Sequence, residues 1–219
     1  MSDRAQRQSA ADRVYEWLRA RILDGTFGGG RLLSEGEVAD ATQVSRTPVR
    51  EAFLQLAAEG MLELFPKRGA LVLSVTAAQL RDVLVARALI EPWAVRAVAT
   101  RADHDAVAGT LRDRNDEARR ALARQDERAF QEADRAFHQE LVAAGGNELL
   151  ASFYASLRDR QLRGGVLATH NDPARAQEIT AQHETIADAV ERGDGEAAAA
   201  AMRAHLDGTA LALGLAPLR

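Results

Sequence analysis

Three histidines and one aspartate occupy positions that helical periodicity assigns to apolar faces. On the segment 126–144 the inward stripe reads Phe130, Asp134, Phe137, His138, Leu141. Asp134 and His138 are four apart, so their side chains can converge. His183 interrupts the stripe Ile179, Ile186, Val190, and His205 interrupts Ala198, Met202, Leu206, Thr209. Burying four separate polar groups is costly unless they share a partner. One divalent cation would serve all four. Imidazole with carboxylate suits zinc foremost, with nickel, manganese or iron as alternatives. The competing reading is a hydrogen-bonded core cluster. A fifth inward polar residue, Arg87, lies on the stripe Leu80, Val83, Leu84, Ile90, Glu91, Ala94. Its guanidinium either pairs with Glu91 at i,i+4 or forks onto the carboxylate of a small organic acid. His104 and His170 fall near helix starts or loops and read as surface residues.

A second group lies near the other end of the chain, in Thr42–Ala52, TQVSRTPVREA. Ser45 can cap a helix over 46–59, and Pro48 sits in its first turn, where a missing N–H is tolerated. Arg46, Thr47 and Arg50 then stand at the helix start. Arg46 and Arg50 share a face and can read guanine or clamp phosphate. Alternatively they are solvated and paired with nearby acids such as Glu51.

The elements that must carry these groups are mostly helical. The 219 residues suffice for one large domain or two small ones. Aromatics are only 5% and apolar residues 47%. Helices are expected over 11–24, 35–41 and 46–59, the second capped by Ser34. Leu62–Phe65 and Ala70–Val75 flank Pro66-Lys67-Arg68-Gly69, which reads as a hairpin with a basic tip. Helix, helix, turn, helix and a two-stranded wing make a winged helix-turn-helix over 1–75. From 76 to 219 the reading is an all-helical antiparallel bundle of about six helices: 76–99, 103–124, 126–144, 147–163, 173–192 and 194–213. Pro92 should kink the first.

Charge and composition narrow the function. All but Lys67 of the 28 basic residues are arginine. The first part carries equal numbers of acidic and basic side chains, so the formal net charge of −4 belongs to the second. Any nucleic-acid contact must therefore rest on local chemistry. The absence of cysteine excludes a disulfide scaffold, a Cys-ligated zinc finger and a thiol nucleophile. No run of about 18 apolar residues could span a membrane, and the N-terminus lacks the apolar core of a signal peptide. A cytoplasmic protein is expected. Neither HExxH nor a Ser–His–Asp pattern occurs, so a metallohydrolase is the weakest of the competing functions.

The stretch LLSEGEVADATQVSRTPVREAFLQLAAEGMLELFPKRGALV resembles the winged-helix domain of GntR-family bacterial transcription regulators. The resemblance implies a homodimer on a pseudo-palindromic operator in double-stranded DNA. It places Arg46, Thr47 and Arg50 in the major groove and the wing tip, Lys67, Arg68 and Gly69, in the minor groove. Gly36 stands where that family usually has a DNA-contacting Arg. The segments DRAFHQELVAAGGN, QHETIADAVERGD and AAAAMRAHL resemble the FCD effector domain of the FadR branch, and the helix count resembles its shorter, VanR-like members. That resemblance implies a metal held by Asp134, His138, His183 and His205, and an Arg facing the ligand cavity at the position of Arg87. The expected function is a metabolite-responsive regulator, most often a repressor in this family. A regulator that senses the metal itself is the alternative.

Overall fold

The computed structural model describes residues 9–157, 169 and 173–218. The chain divides into two compact units, Met1–Val75 and Thr76–Arg219. The first contains α1 (Ala10–Leu23), β1 (Leu32–Leu33), α2 (Glu35–Thr42), α3 (Arg46–Ala58), β2 (Leu62–Phe65) and β3 (Gly69–Val72). Ser9 and Asp12 form a reciprocal capping box at the start of α1. Ser34 caps α2 by accepting the Glu37 N–H at 3.0 Å. Ser45 has the extended backbone of an N-cap, yet its hydroxyl makes no capping bond. The expected cap is absent for a simple reason: Pro48 occupies the third helical position, so one of the two N–H groups such a cap would use does not exist. The helix still forms because Val49, Ala52, Phe53 and Leu56 are buried.

The wing differs from the expected two strands. β1 joins it on the far side of β3, giving the antiparallel order β1-β3-β2 with Leu33 opposite Ala70 and Phe65 opposite Gly69. A two-residue strand has no alternation to read, so only tertiary pairing reveals it. This third strand explains Gly69. A Cβ there would lie 2.1 Å from the Leu33 carbonyl oxygen, and its φ of 112° is already unfavourable for other residues.

The second unit comprises α4 (Ala77–Ala99), α5 (His104–Ala123), α6 (Glu127–Ala144), α7 (Glu148–Ser156), α8 (Pro173–Glu191) and α9 (Gly195–Ala212). α7 ends at Ser156, earlier than expected, and residues 158–163 of the anticipated helix lie outside the described residues. Pro92 sits inside one continuous α4, itself capped by Thr76 and Gln79. α4 and α9 run antiparallel, tied by Arg96–Glu196 at 2.6 Å near one end and Arg81 to the Ala216 carbonyl at 3.4 Å near the other. Leu84, Val95, Phe137, Leu141, Ile186, Met202 and Leu206 form the core that fixes the rotation of each helix. Among the described residues, no helix is long and apolar enough to cross a membrane.

Candidate DNA interface and buried histidine site

The exposed start of α3 carries Arg46, Thr47 and Arg50 to one end of the first unit. Arg50 is engaged: its Nε donates to Glu35 Oε1 at 2.8 Å. This hydrogen bond holds the Glu35 carboxyl below its ordinary range. The partner is on α2, fifteen residues back, rather than the neighbouring Glu51. Exposed pairs of this kind contribute little stability, so a phosphate or base can displace Glu35 at small cost. Arg46 leans over Gly36, its nearest guanidinium nitrogen 3.9 Å from where a Cβ would stand. The wing tip exposes Lys67 and Arg68. Pro66 and Lys67 form a tight turn closed by the Arg68 N–H on the Phe65 carbonyl at 3.0 Å, with Lys67 in the left-handed region at φ 62°. Gly69 is half-buried under β1, so its place in the wing is explained by packing.

In the second unit, α6, α8 and α9 bring His138, His183 and His205 together. Their ring centroids form a near-equilateral triangle with sides of 4.9, 5.0 and 4.9 Å, and all three are buried. His138 Nε2 and His183 Nε2 are 3.2 Å apart. Asp134 stands at the edge, half-buried, its Oδ1 3.6 Å from His183 Nε2. One ring nitrogen from each histidine, without the aspartate, falls within 4.8 Å of the others.

The surrounding shell orients these rings. His138 Nδ1 approaches Glu91 Oε2 at 2.9 Å, off the ideal hydrogen-bond direction. Glu91 also receives Arg87 Nε at 2.6 Å and the Tyr154 hydroxyl at 2.5 Å on Oε1. Burial opposes charge on Glu91, but Arg87 and His138 outweigh it and hold the carboxyl well below its usual range. Burial and the adjacent carboxylate push the Tyr154 phenol well above its usual range, so it remains a donor. His205 Nδ1 pairs with Gln182 Oε1 at 2.9 Å. His183 stacks on Phe137 at 3.9 Å and 3°. Desolvation, then the neighbouring imidazoles, depresses the basicity of His183 and His205, which keeps both neutral.

This arrangement fits a metal ion. Two nitrogens bound about 2.1 Å from one ion stand roughly 3.0–3.4 Å apart, which brackets the His138–His183 separation. Carboxylate or amide contacts to the outer nitrogens of His138 and His205 leave their Nε2 atoms available inward, the second-shell pattern of ligating histidines. Without an ion, the same two Nε2 atoms can share one hydrogen bond. Arg87 adds a further feature. It pairs with Glu91, yet one terminal nitrogen is buried with no hydrogen-bond partner. The stripes in the sequence carried the histidines and Arg87. Glu91 was on the inward stripe as the i+4 partner of Arg87, but nothing in the sequence linked it to His138, and Gln182, off the stripe, had no signal. His104 is half-buried at the start of α5 rather than on the surface, and His170 lies outside the described residues.

A winged helix with arginines at its third helix, followed by a helical unit built round a polar centre, defines a two-part DNA-binding regulator. Residues 10–72 match the family of bacterial regulatory proteins named for GntR, and residues 82–208 match the FCD domain. The chain is 36% identical over 193 residues to an uncharacterized HTH-type transcriptional regulator in an unstable DNA locus of Streptomyces ambofaciens, covering 88% of this chain and 80% of that one. It is 31% identical over 200 residues to the HTH-type transcriptional repressor RspR of Escherichia coli, covering 91% and 86%. A crystal structure of a GntR transcriptional regulator from Rhodococcus superimposes with a TM-score of 0.76 at 27% identity, covering 93% and 97%. The protein belongs to the GntR family and carries an FCD domain; it is a DNA-binding transcription regulator rather than an enzyme.

Proposed function

We propose that this regulator is a homodimeric repressor whose hold on a pseudo-palindromic operator is released by a small organic acid bound at a metal-containing site. His138, His183 and His205 hold the ion, with Asp134 as the fourth protein ligand after a small side-chain movement. The ion supplies a Lewis-acidic contact for an effector carboxylate. The observation that carries the reading is the meeting of three buried imidazoles, with the outer nitrogens of His138 and His205 facing Glu91 and Gln182. The partnerless terminal nitrogen of Arg87 provides a second handle on the acid. Glu91 keeps Arg87 oriented, and Tyr154 keeps Glu91 in place. An acid that draws Arg87 inward moves α4, whose N-cap, Thr76, follows directly on the winged-helix unit. That movement requires different affinities for two dimer states. On DNA, Arg46, Thr47 and Arg50 contact the major groove, and Lys67 and Arg68 contact the minor groove. The name of RspR supports repression as the direction.

A second reading is favoured by the Arg87–Glu91 pair. Since Arg87 already has a carboxylate, the ion alone could complete the site and act as the signal. The experiment is operator release measured with metal, with organic acids, and with both, alongside elemental analysis of gently purified protein. Release by acid only in metal-loaded protein supports the first reading; release by metal alone supports the second. Protein that contains no metal, and binds none at micromolar concentration, would leave a hydrogen-bonded histidine cluster and overturn both.

A further inference from the structure

Between α5 and α6 lies a surface cavity of about 300 Å³, lined by none of the residues of the histidine site. On α5 and its C-cap, Glu117, Arg120 and Arg124 supply one wall, at the i, i+3 and i+7 positions of a single stripe. Glu132 and Arg135 of α6 supply the other, and the short side chains of Ala129 and Ala133 leave the space open. α5 and its C-cap carry five arginines, and their pairing is uneven. Arg112 meets Glu184, Asp188 and Glu191, Arg114 meets Glu117 and Glu140, and Arg119 meets Asp116 and Glu184. Among the described residues, the guanidinium groups of Arg120 and Arg124 meet no carboxylate, and these are the two that line the cavity. Like charges four apart on a helix repel one another. Neither is needed as a cap, because the N–H groups of Arg124, Gln125 and Asp126 already satisfy the carbonyls of Arg120, Ala121 and Leu122. The glutamates of the cavity do not neutralise them either. Glu117 is bound by Arg114 at 3.2 Å, and Glu132 by Arg135 at 3.2 Å.

We propose that this cavity is a second ligand site, which takes the phosphate monoester of a small hydroxylated molecule. Guanidinium forks match phosphate oxygens bidentately, and Arg120 and Arg124, with Arg135 on the facing helix, can hold one doubly charged group. The two carboxylates disfavour a bare polyanion. Each still has acceptor directions beyond those its arginine uses, so both can take hydroxyl protons from the body of the ligand. The volume falls at the small end of the range for ligand pockets, roughly 300–1,000 Å³, and suits a compact molecule. A DNA duplex is the poorer occupant, since two carboxylates in the walls repel its phosphates. The site stands whether or not the histidines hold an ion. α6 nevertheless joins the two: Asp134 stands at the edge of the histidine trio, and Arg135, the next residue, lines the cavity. A ligand that draws Arg135 towards Arg120 and Arg124 pulls on the helix that carries His138.

The test is calorimetric titration of the full chain with glycerol 3-phosphate and with ethyl phosphate at fixed ionic strength. Glycerol 3-phosphate should bind once per protomer. Arg120→Gln combined with Arg124→Gln should weaken it by about tenfold or more, with unchanged helical circular dichroism. Arg203→Gln, an exposed arginine on α9, should bind as the wild type does. A wild type that binds no ester at millimolar concentration, or no more tightly than the double variant, overturns the proposal. So does an equal loss in Arg203→Gln, which would mean diffuse charge. Ethyl phosphate should bind more weakly than its hydroxylated counterpart, and equal affinities overturn the ligand class. Phosphate can also coordinate a metal ion, so the titration is repeated on His183→Ala. Retained binding supports the cavity, and lost binding assigns the ester to the histidine site and overturns the inference. If the double variant does not fold, Arg124→Gln alone serves, with a loss of about threefold or more expected and an unchanged affinity overturning the proposal. The double variant should bind a labelled DNA duplex as the wild type does. A tenfold loss there, with no ester bound, would give the cavity to DNA phosphates instead.

Discussion

His138 Nε2 and His183 Nε2 face one another at 3.2 Å, with the Phe137 ring stacked on His183. Removing one imidazole should empty the site. We expect His183→Ala to reduce bound metal from one ion per protomer to none by elemental analysis. An ion present at 100 times its dissociation constant stabilises the fold by about 2.7 kcal/mol. For a chain of this size that corresponds to a melting temperature roughly 5–10 °C higher than the chelated protein. A chelator should lower the wild-type midpoint by that amount and leave His183→Ala unmoved.

Glu91 performs two tasks, and one substitution separates them from ordinary packing. Glu91→Gln keeps the shape but loses the charge that faces both Arg87 and His138. Leaving Arg87 buried without a counter-charge should destabilise by about 3–5 kcal/mol. Weakening the orientation of His138 should reduce metal affinity about 10- to 100-fold. Combining it with Arg87→Met should recover much of the stability, because the uncompensated charge is gone, but not the metal affinity. Chemical denaturation and metal titration of the two single variants and the double variant measure both quantities.

At the DNA face, Arg50 is held by Glu35 and Arg46 is not. Arg50→Ala should weaken operator binding about 10- to 100-fold, the range of one good base contact. Glu35→Ala should leave affinity equal or somewhat higher, since DNA no longer competes with a carboxylate. Fluorescence anisotropy with a labelled operator reads both. A loss of affinity in Glu35→Ala would mean that the pair positions Arg50 rather than restraining it.

Lys67 is strained at φ 62° in its turn. Lys67→Gly should remove roughly 1 kcal/mol of backbone strain and raise the melting temperature of the isolated transition by a few degrees. The same variant should weaken binding to all DNA sequences alike and reduce the salt slope by about one. A change in stability and DNA affinity in opposite directions is the signature.

The two serine caps of the first unit should respond differently to alanine. Ser34→Ala removes a bond to the Glu37 N–H and should cost about 1 kcal/mol. Ser45→Ala removes no capping bond, because Pro48 has no N–H to offer, and should be nearly neutral. Thermal denaturation of both variants decides between this account and a hydroxyl that caps through another group.

The helical stripes, the turn residues and the basic hairpin tip determined by themselves that a winged helix precedes an all-helical unit. They also determined that Arg87, His138, His183 and His205 face inward. Periodicity can do this because 3.6 residues per turn fixes the direction of each side chain on its own helix. It says nothing of how far one helix slides or turns against the next. That left to the tertiary structure the 2.9 Å approach of Glu91 to His138, the Gln182–His205 contact, and the displacement of Asp134 to the edge of the trio. It also decided that Arg50 meets Glu35 across two helices, and that Leu33 pairs with Ala70 to force a glycine at 69. The apolar side chains of α4 and α7 were legible as residues. Their exposure was not, since burial depends on which neighbours the packed bundle supplies.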